Sequence, residues 1–183
     1  ASESSSIIHK NLNRAADLIK SFKQVAVDQS GEVKRKFKLK RYTDELFISL
    51  RPKLKKTPHK IRFNCPEDLE IDSYPGIYSQ IITNFILNSL NHGFEEGEEG
   101  LITIDIKKDG GELLVEYSDN GKGMEEETFK KIFDPFFTTS RGLGGTGLGM
   151  HIVYNLVTLT LGGKIKCFSL PGEGTTFLIR IPV

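Results

Sequence analysis

Apolar residues from Ile8 onward fall at Ile8, Leu12, Ala15, Ile19, Phe22 and Ala26, with spacings of 4, 3, 4, 3 and 4. That is the seam of an amphipathic helix seeking a partner, ended by Gln29, Ser30 and Gly31. Phe37 and Leu39 alternate with Lys36, Lys38 and Lys40 as an edge strand does, and residues 43–54 read as a helix capped by Thr43 and stopped near Pro52. Short strands are expected over 61–65 and 69–71. Asp72, Ser73 and Pro75 then signal a helix running to Gly93. Ile102, Ile104 and Ile106 alternate with Thr103 and Asp105, and Asp109-Gly110-Gly111 turns the chain back into a strand over 113–118. A short helix over 125–133, a Gly- and Thr-rich segment over 134–147, a helix over 148–161 stopped by Gly162-Gly163, and a hairpin of 164–170 with 175–181 complete the order. Hairpin-connected strands mixed with helices predict an α+β fold, a two-layer sandwich with helices on one face of a mainly antiparallel sheet.

Charge and cysteine content narrow the function. Twenty-five Lys and Arg stand against 24 Asp and Glu, a formal charge of +1, so no global field points to nucleic acid or an anionic membrane. Residues 34–62 do hold twelve Lys and Arg against Asp44 and Glu45 alone. This stretch lacks interleaved aromatics or a nucleic-acid-binding motif and reads as a solvated face. Cys65 and Cys167 are too far apart for a ligand pair, which suggests reduced thiols in a cytoplasmic setting. No run of eighteen apolar residues and no leader are visible, so the chain is expected to be soluble as given.

Three elements carry candidate chemistry. On the helix ending at Gly93, Asn84, Asn88 and Asn91 share one arc with Gln80 and His92, while Ile82, Phe85, Ile86 and Leu90 face the other way. Asparagine is a poor helix former, so three on one face suggest ligand contact, and the amide oxygen is a hard neutral donor suited to Mg²⁺ that retains waters and phosphate oxygens. The second element is Asp119-Asn120-Gly121-Lys122-Gly123-Met124 at a strand end. Its glycines let backbone approach a flat ligand beside a carboxylate that accepts hydrogen bonds, which favours the exocyclic amine of adenine over the carbonyl of guanine. The third is Arg141-Gly142-Leu143-Gly144-Gly145-Thr146-Gly147-Leu148-Gly149-Met150 before a helix. No strand precedes it and no Lys-Ser or Lys-Thr follows its glycines, which excludes the Rossmann and Walker patterns. Unhindered amides at a helix start remain as an anion site, with the preceding segment able to close over it and Arg141 to pair with a terminal phosphate.

Taken in order, Asn84-Phe85-Ile86-Leu87-Asn88, Asp119-x-Gly121-x-Gly123, Phe133-Asp134-Pro135-Phe136-Phe137-Thr138-Thr139, Gly145-Thr146-Gly147-Leu148-Gly149 and Gly172-Glu173-Gly174-Thr175 resemble the N box, glycine boxes and F box of the catalytic ATP-binding domain of sensor histidine kinases. That group shares its ATPase fold with type II topoisomerases, heat-shock chaperones and mismatch-repair ATPases. The resemblance implies a domain over 32–183, preceded in 1–31 by the second helix of a dimerisation and phosphoacceptor hairpin. It implies ATP and Mg²⁺ as cofactors, with Asn88 on the metal and Asp119 on adenine. Gly121, Gly123 and Met124 would shape the base pocket, Thr138, Thr139, Gly145, Thr146, Gly147, Leu148 and Gly149 would face the phosphates, and Thr175 would back Asp119. The implied partners are the phosphoacceptor domain, a response-regulator receiver domain and a second copy in a full-length homodimer tethered at the inner membrane face. No nucleic acid and no direct membrane contact by this part are implied.

Two departures stand out. Relatives often carry Lys or Arg where Asn91 stands, so that one phosphate contact is either lost or taken by His92 or Arg141, and Ser140 replaces the Lys that often follows the paired threonines, with Arg141 next in line. Hydrolytic relatives place a Glu four residues before the metal-binding Asn, where this chain has Asn84. An amide takes no proton at useful pH, so the site favours phosphoryl transfer over hydrolysis. None of His9, His59, His92 or His151 has the setting of an acceptor histidine; His9 reads as solvated and His151 as a satisfied helix residue. The acceptor is expected on a helix N-terminal to this sequence.

Overall fold

The structure, a computed structural model, describes residues 33–95, 97–139 and 146–183. The expected seam helix and the whole of region 1–31 lie outside the described residues, as do Ser140, Arg141 and Gly145. Strand β1 (Arg35–Lys38) leads into helix α1 (Leu39–Leu54), followed by β2 (Lys60–Asn64), β3 (Glu70–Ser73) and α2 (Pro75–Asn88), which widens into a π turn (Ser89–Gly93). Then come β4 (Leu101–Asp109), β5 (Glu112–Asp119), the single turn α3 (Glu126–Phe129), α4 (Gly149–Asn155) with a π turn (Leu156–Thr160), β6 (Lys164–Ser169) and β7 (Thr175–Pro182). β1 and β3 pair as a small antiparallel ribbon, and the main sheet runs β2-β4-β5-β7-β6. Among the described residues its one parallel pair is β2 with β4, whose intervening β3 and α2 supply the crossover a parallel pair requires.

The period-2 pattern on the central strands determines the layer. Ile102, Ile104, Ile106, Leu113, Val115, Tyr117, Phe177, Ile179 and Ile181 are all buried on the helix side. Ile77, Ile81, Ile82, Phe85 and Ile86 of α2 and Ile152, Val153, Leu156 and Val157 of α4 close over them. Phe85 stacks between Tyr117 and Phe177, with ring centroids 4.9 and 4.6 Å away, so α2 is fixed on the sheet one turn before its polar residues end.

Several expectations need correction. Leu39 begins α1 rather than extending β1, and Thr43 is a fully buried interior residue instead of a cap. Its hydroxyl donates to the Leu39 carbonyl at 2.8 Å and lies 3.4 Å from Tyr78 Oη, so tertiary packing satisfies a group that sequence reading assigns to a terminus. Pro52 sits inside the last turn, which closes beyond it when Lys55 N–H reaches Arg51 O at 2.9 Å. The helix expected over 125–133 is regular only for α3, after which turns carry Ile132 and Phe133 onto the core. The two cysteines are free, and burial pushes the Cys65 and Cys167 thiols up to about 11 and about 12, leaving them inert at neutral pH.

Candidate functional site

Between α2, the end of β5, α3 and the start of α4 lies a cavity of about 530 Å³. One end is built around Asp119, 7% exposed at the last position of β5. Ser89 Oγ donates to Asp119 Oδ2 at 2.6 Å, and the Gly121 amide donates to Oδ1 at 3.1 Å. Tyr117 Oη donates to Ser89 Oγ at 2.8 Å, so a buried relay runs from the β5 phenol through α2 to the carboxylate. Burial raises the Asp119 pKa, and bonds from Ser89 and the Gly121 and Thr175 amides pull it partly back. Thr175 faces Asp119 across the β5–β7 ladder, and its hydroxyl lies 3.1 Å from Ser169 Oγ.

Glycine is obligatory around this carboxylate for two reasons. A Cβ on Gly121 would collide with the Gly93 carbonyl, the group that ends the α2 π turn and accepts from Lys122 N at 2.7 Å. Gly123 (φ 67°) and Gly174 (φ 77°) take left-handed conformations, and a Cβ on Gly174 would strike the Asp119 carbonyl.

The opposite end is less complete. Asn84 Nδ2 is buried without a protein partner, as is Oε1 of Gln80, one turn earlier on α2 and outside the cavity lining. Gly149, the first residue of α4, sits so that an added Cβ would lie 3.5 Å from Asn84 Oδ1. Gly147 (φ 70°) turns the chain into α4 against the backbone of Phe136 and Phe137. His92 Nδ1 lies 3.3 Å from Thr139 Oγ1, and burial, then the nearby Lys122 charge, lowers the His92 pKa.

Of the residues expected from sequence, Asn84, Asn88, Asn91, His92, Asp119, Gly123, Met124, Thr138, Thr139, Thr146, Gly147, Gly149 and Thr175 line this one cavity. Gly121 does not line it, supporting the Asp119 carboxylate from behind, and Leu148 is buried in the core. Arg141 and Gly145 lie outside the described residues. Sequence reasoning missed Leu87, Gly93, Lys122, Glu125, Thr128, Ile132, Phe137 and Met150 among the lining residues, and Ser89 and Tyr117 behind Asp119. The i, i+4 spacing of Thr128 and Ile132 was an available signal. The Tyr117–Ser89–Asp119 relay left none, because its members join only when α2 packs on β5.

Comparison with known proteins bears on the same region. The sequence profile of the family described as histidine kinase-, DNA gyrase B-, and HSP90-like ATPase matches residues 75–183. Sensor histidine kinase ZraS of Salmonella typhi is 36% identical over 126 residues, 68% of this chain and 26% of that protein. The alginate biosynthesis sensor protein KinB of Pseudomonas aeruginosa is 34% identical over 104 residues, 57% of this chain and 17% of that protein. This chain thus spans about a quarter or less of the length of these curated relatives. Among solved structures, the catalytic domain of histidine kinase ThkA superposes with a TM-score of 0.69 at 28% identity, covering 82% of this chain and 95% of that one. ThkA in complex with the response regulator TrrA gives a TM-score of 0.74 at 25% identity, covering 96% of this chain and 49% of that one.

Proposed function

We propose that this chain, which belongs to the histidine kinase-, DNA gyrase B- and HSP90-like ATPase family as the catalytic domain of a sensor histidine kinase, binds Mg-ATP in the α2–β5–α4 cavity. From there the γ-phosphoryl group passes to a histidine on a dimerisation hairpin, and a response-regulator receiver domain takes it next. The observation that carries the reading is the pairing of a buried, pre-oriented carboxylate at one end of a single cavity with an orphaned amide donor at the other.

Asp119 accepts from the adenine amine, and the glycines at 121 and 123 let the turn after β5 pack onto the Gly93 and Leu170 carbonyls, which holds the carboxylate in place. Asn84 Nδ2 is a donor in want of an acceptor, which a phosphate oxygen or a water of the hydrated ion supplies. The donor set also fits Mg²⁺: Asn88, with Asn84 and Asn91, lines the cavity with neutral amide oxygens. Asn88 would hold the ion together with phosphate oxygens and water, and the bound ion neutralises phosphate charge. The remaining roles belong to the chain itself. The amides from Thr146 to Gly149 and the Arg141 side chain take the phosphate tail, and Asn91, His92, Thr138 and Thr139 line its flank. Because Asn84 cannot act as a base, water in the site is poorly activated and the γ-phosphoryl group survives until an imidazole nitrogen attacks phosphorus and ADP leaves.

No helix among the described residues is long and apolar enough to cross a membrane. We place the domain in the cytoplasm, on a parent protein anchored to the inner face, with residues 1–31 continuing the dimerisation hairpin.

The decisive experiment titrates ATP with and without Mg²⁺ on the wild type and Asn88→Ala, then adds a dimerisation hairpin bearing the acceptor. Asn88→Ala should lose most of the Mg²⁺ dependence of binding, about tenfold in affinity or more. Acid-labile phosphate should appear on the hairpin and never on the chain alone. ATP binding with no transfer to any cognate hairpin would instead mark a non-catalytic nucleotide scaffold, the reading that Asn91 favours.

A further inference from the structure

We propose that His151, which does not line the cavity, is the positioning residue for the stretch 133–139 that forms one cavity wall, and that it acts through the Phe133 carbonyl. The inference rests on the nucleotide reading above for its functional consequence, but its structural basis is independent of it. His151 Nδ1 lies 3.0 Å from Phe133 O, and Asn155 Nδ2 lies 3.1 Å from His151 Nε2. A carbonyl oxygen only accepts, so Nδ1–H donates to Phe133 O, and the Asn155 amide holds the other ring nitrogen. Asn155, one turn further along α4, thereby fixes the ring orientation that makes the Phe133 bond.

The stretch needs such a tether. Phe136 has φ 65°, a conformation rare for a non-glycine residue and retained only where the surroundings over-determine it. Its backbone lies directly on Gly147, where a Cβ would collide with it, so the entry to α4 and this stretch share one packing surface. At the far end Thr139 Oγ1 meets His92 Nδ1 at 3.3 Å. The wall formed by Phe137, Thr138 and Thr139 is therefore held from α4 by one imidazole and from the end of α2 by another. Phe137 lies against Gly147 at the start of α4, so this wall borders the helix-start amides to which the nucleotide reading assigns the phosphate tail.

Two side chains that replace different halves of the imidazole provide the test. His151→Asn places an amide donor near Nδ1 and keeps the Phe133 bond, whereas His151→Gln reaches the Nε2 position and loses it. Asn155→Ala leaves the ring in place with its orientation free. Amide hydrogen exchange over 134–139 is read without nucleotide, and ATP and ADP affinities are read in the same full chain with Mg²⁺. His151→Gln should speed exchange in that stretch about tenfold and weaken ATP about tenfold, the worth of one hydrogen bond, with ADP within about twofold. Asn155→Ala should show a smaller change of the same kind, and His151→Asn should stay within about threefold of wild type. Equal behaviour of the Asn and Gln variants, equal loss of ATP and ADP, or unaltered exchange would overturn the proposal. If the wild type binds no ATP, the nucleotide reading falls, while the exchange pattern still decides the role of His151.

Discussion

The two ends of the cavity differ in how far the protein completes them on its own. Around Asp119 both carboxylate oxygens have donors, the donor Ser89 is itself bonded by Tyr117, and glycines at 121, 123 and 174 bring backbone into close contact. At Asn84 a buried amide donor has no protein partner, and the neighbouring wall contains a residue in a strained conformation. The first end is pre-organised, so the cost of ordering it is met during folding. The second is left for the ligand to finish. Such a division suits the proposed role, in which the nucleotide base stays in a fixed place while the γ-phosphoryl group leaves for a histidine on the dimerisation hairpin.

Substitutions that leave one end intact can break this contrast. The largest effect is expected from Gly174→Ala, which forces a left-handed Ala against the Asp119 carbonyl and should cost about 3 kcal/mol or more of unfolding free energy. A denaturant midpoint near that of wild type would mean that the Asp119 end is looser than its packing implies. Next comes Asp119→Asn, which keeps the shape but replaces one of the two acceptor oxygens with an NH2 donor, so that Ser89, the Gly121 amide and the adenine amine compete for a single neutral oxygen. ATP affinity should fall about a hundredfold, with stability within about 1 kcal/mol of wild type because a buried charge is lost along with its bonds. A parallel loss of stability would identify Asp119 as structural. Smaller again, and opposite in sign, is Asn84→Leu. Replacing an orphaned buried amide with an apolar group should raise the stability of the nucleotide-free domain by about 1 kcal/mol while lowering phosphotransfer. Destabilisation would show that the amide already has a partner, such as an ordered water.

The residues legible in sequence were those with a local signature. The asparagine face of α2 follows from helical periodicity, and the turn after Asp119 from glycines two and four positions on, so the lining of both ends could be read along the chain. Sheet order was less legible: the hairpins β4–β5 and β6–β7 announce themselves at Gly110-Gly111 and Pro171-Gly172, but the parallel placement of β2 beside β4 depends on a crossover with no local mark. What supports the site was hidden for the same reason. Ser89 looks like any helix serine and Tyr117 like any strand aromatic until α2 docks on β5. His151 reads as a satisfied helix residue, and it is one; the information lies in which carbonyl satisfies it. Thr43 misled because a threonine before an apolar run resembles a cap, whereas burial against Tyr78 lets it bond back to Leu39 in mid-helix.

The smallest expected effect, and the one that reads the Asp119 end most directly, is a pH dependence of stability. Burial holds the Asp119 pKa above its ordinary value of 3.8, so between that value and the raised one the folded chain binds more protons at this site than the unfolded chain does. Stability contributed by this group is therefore full below about pH 3.8 and is lost as pH rises through the folded-state pKa, at no more than about 1.4 kcal/mol per pH unit. Other carboxylates titrate nearby, so the quantity to measure is the wild-type unfolding free energy minus that of Asp119→Asn across the acid range. It should decline with rising pH in the absence of nucleotide. Saturating ATP should flatten or reverse that decline, because the adenine amine bonds the ionised carboxylate and draws its pKa down. A difference that rises with pH in the free protein would mean that Ser89 and the Gly121 and Thr175 amides outweigh burial, and that the carboxylate is stabilised in its charged form before any base arrives.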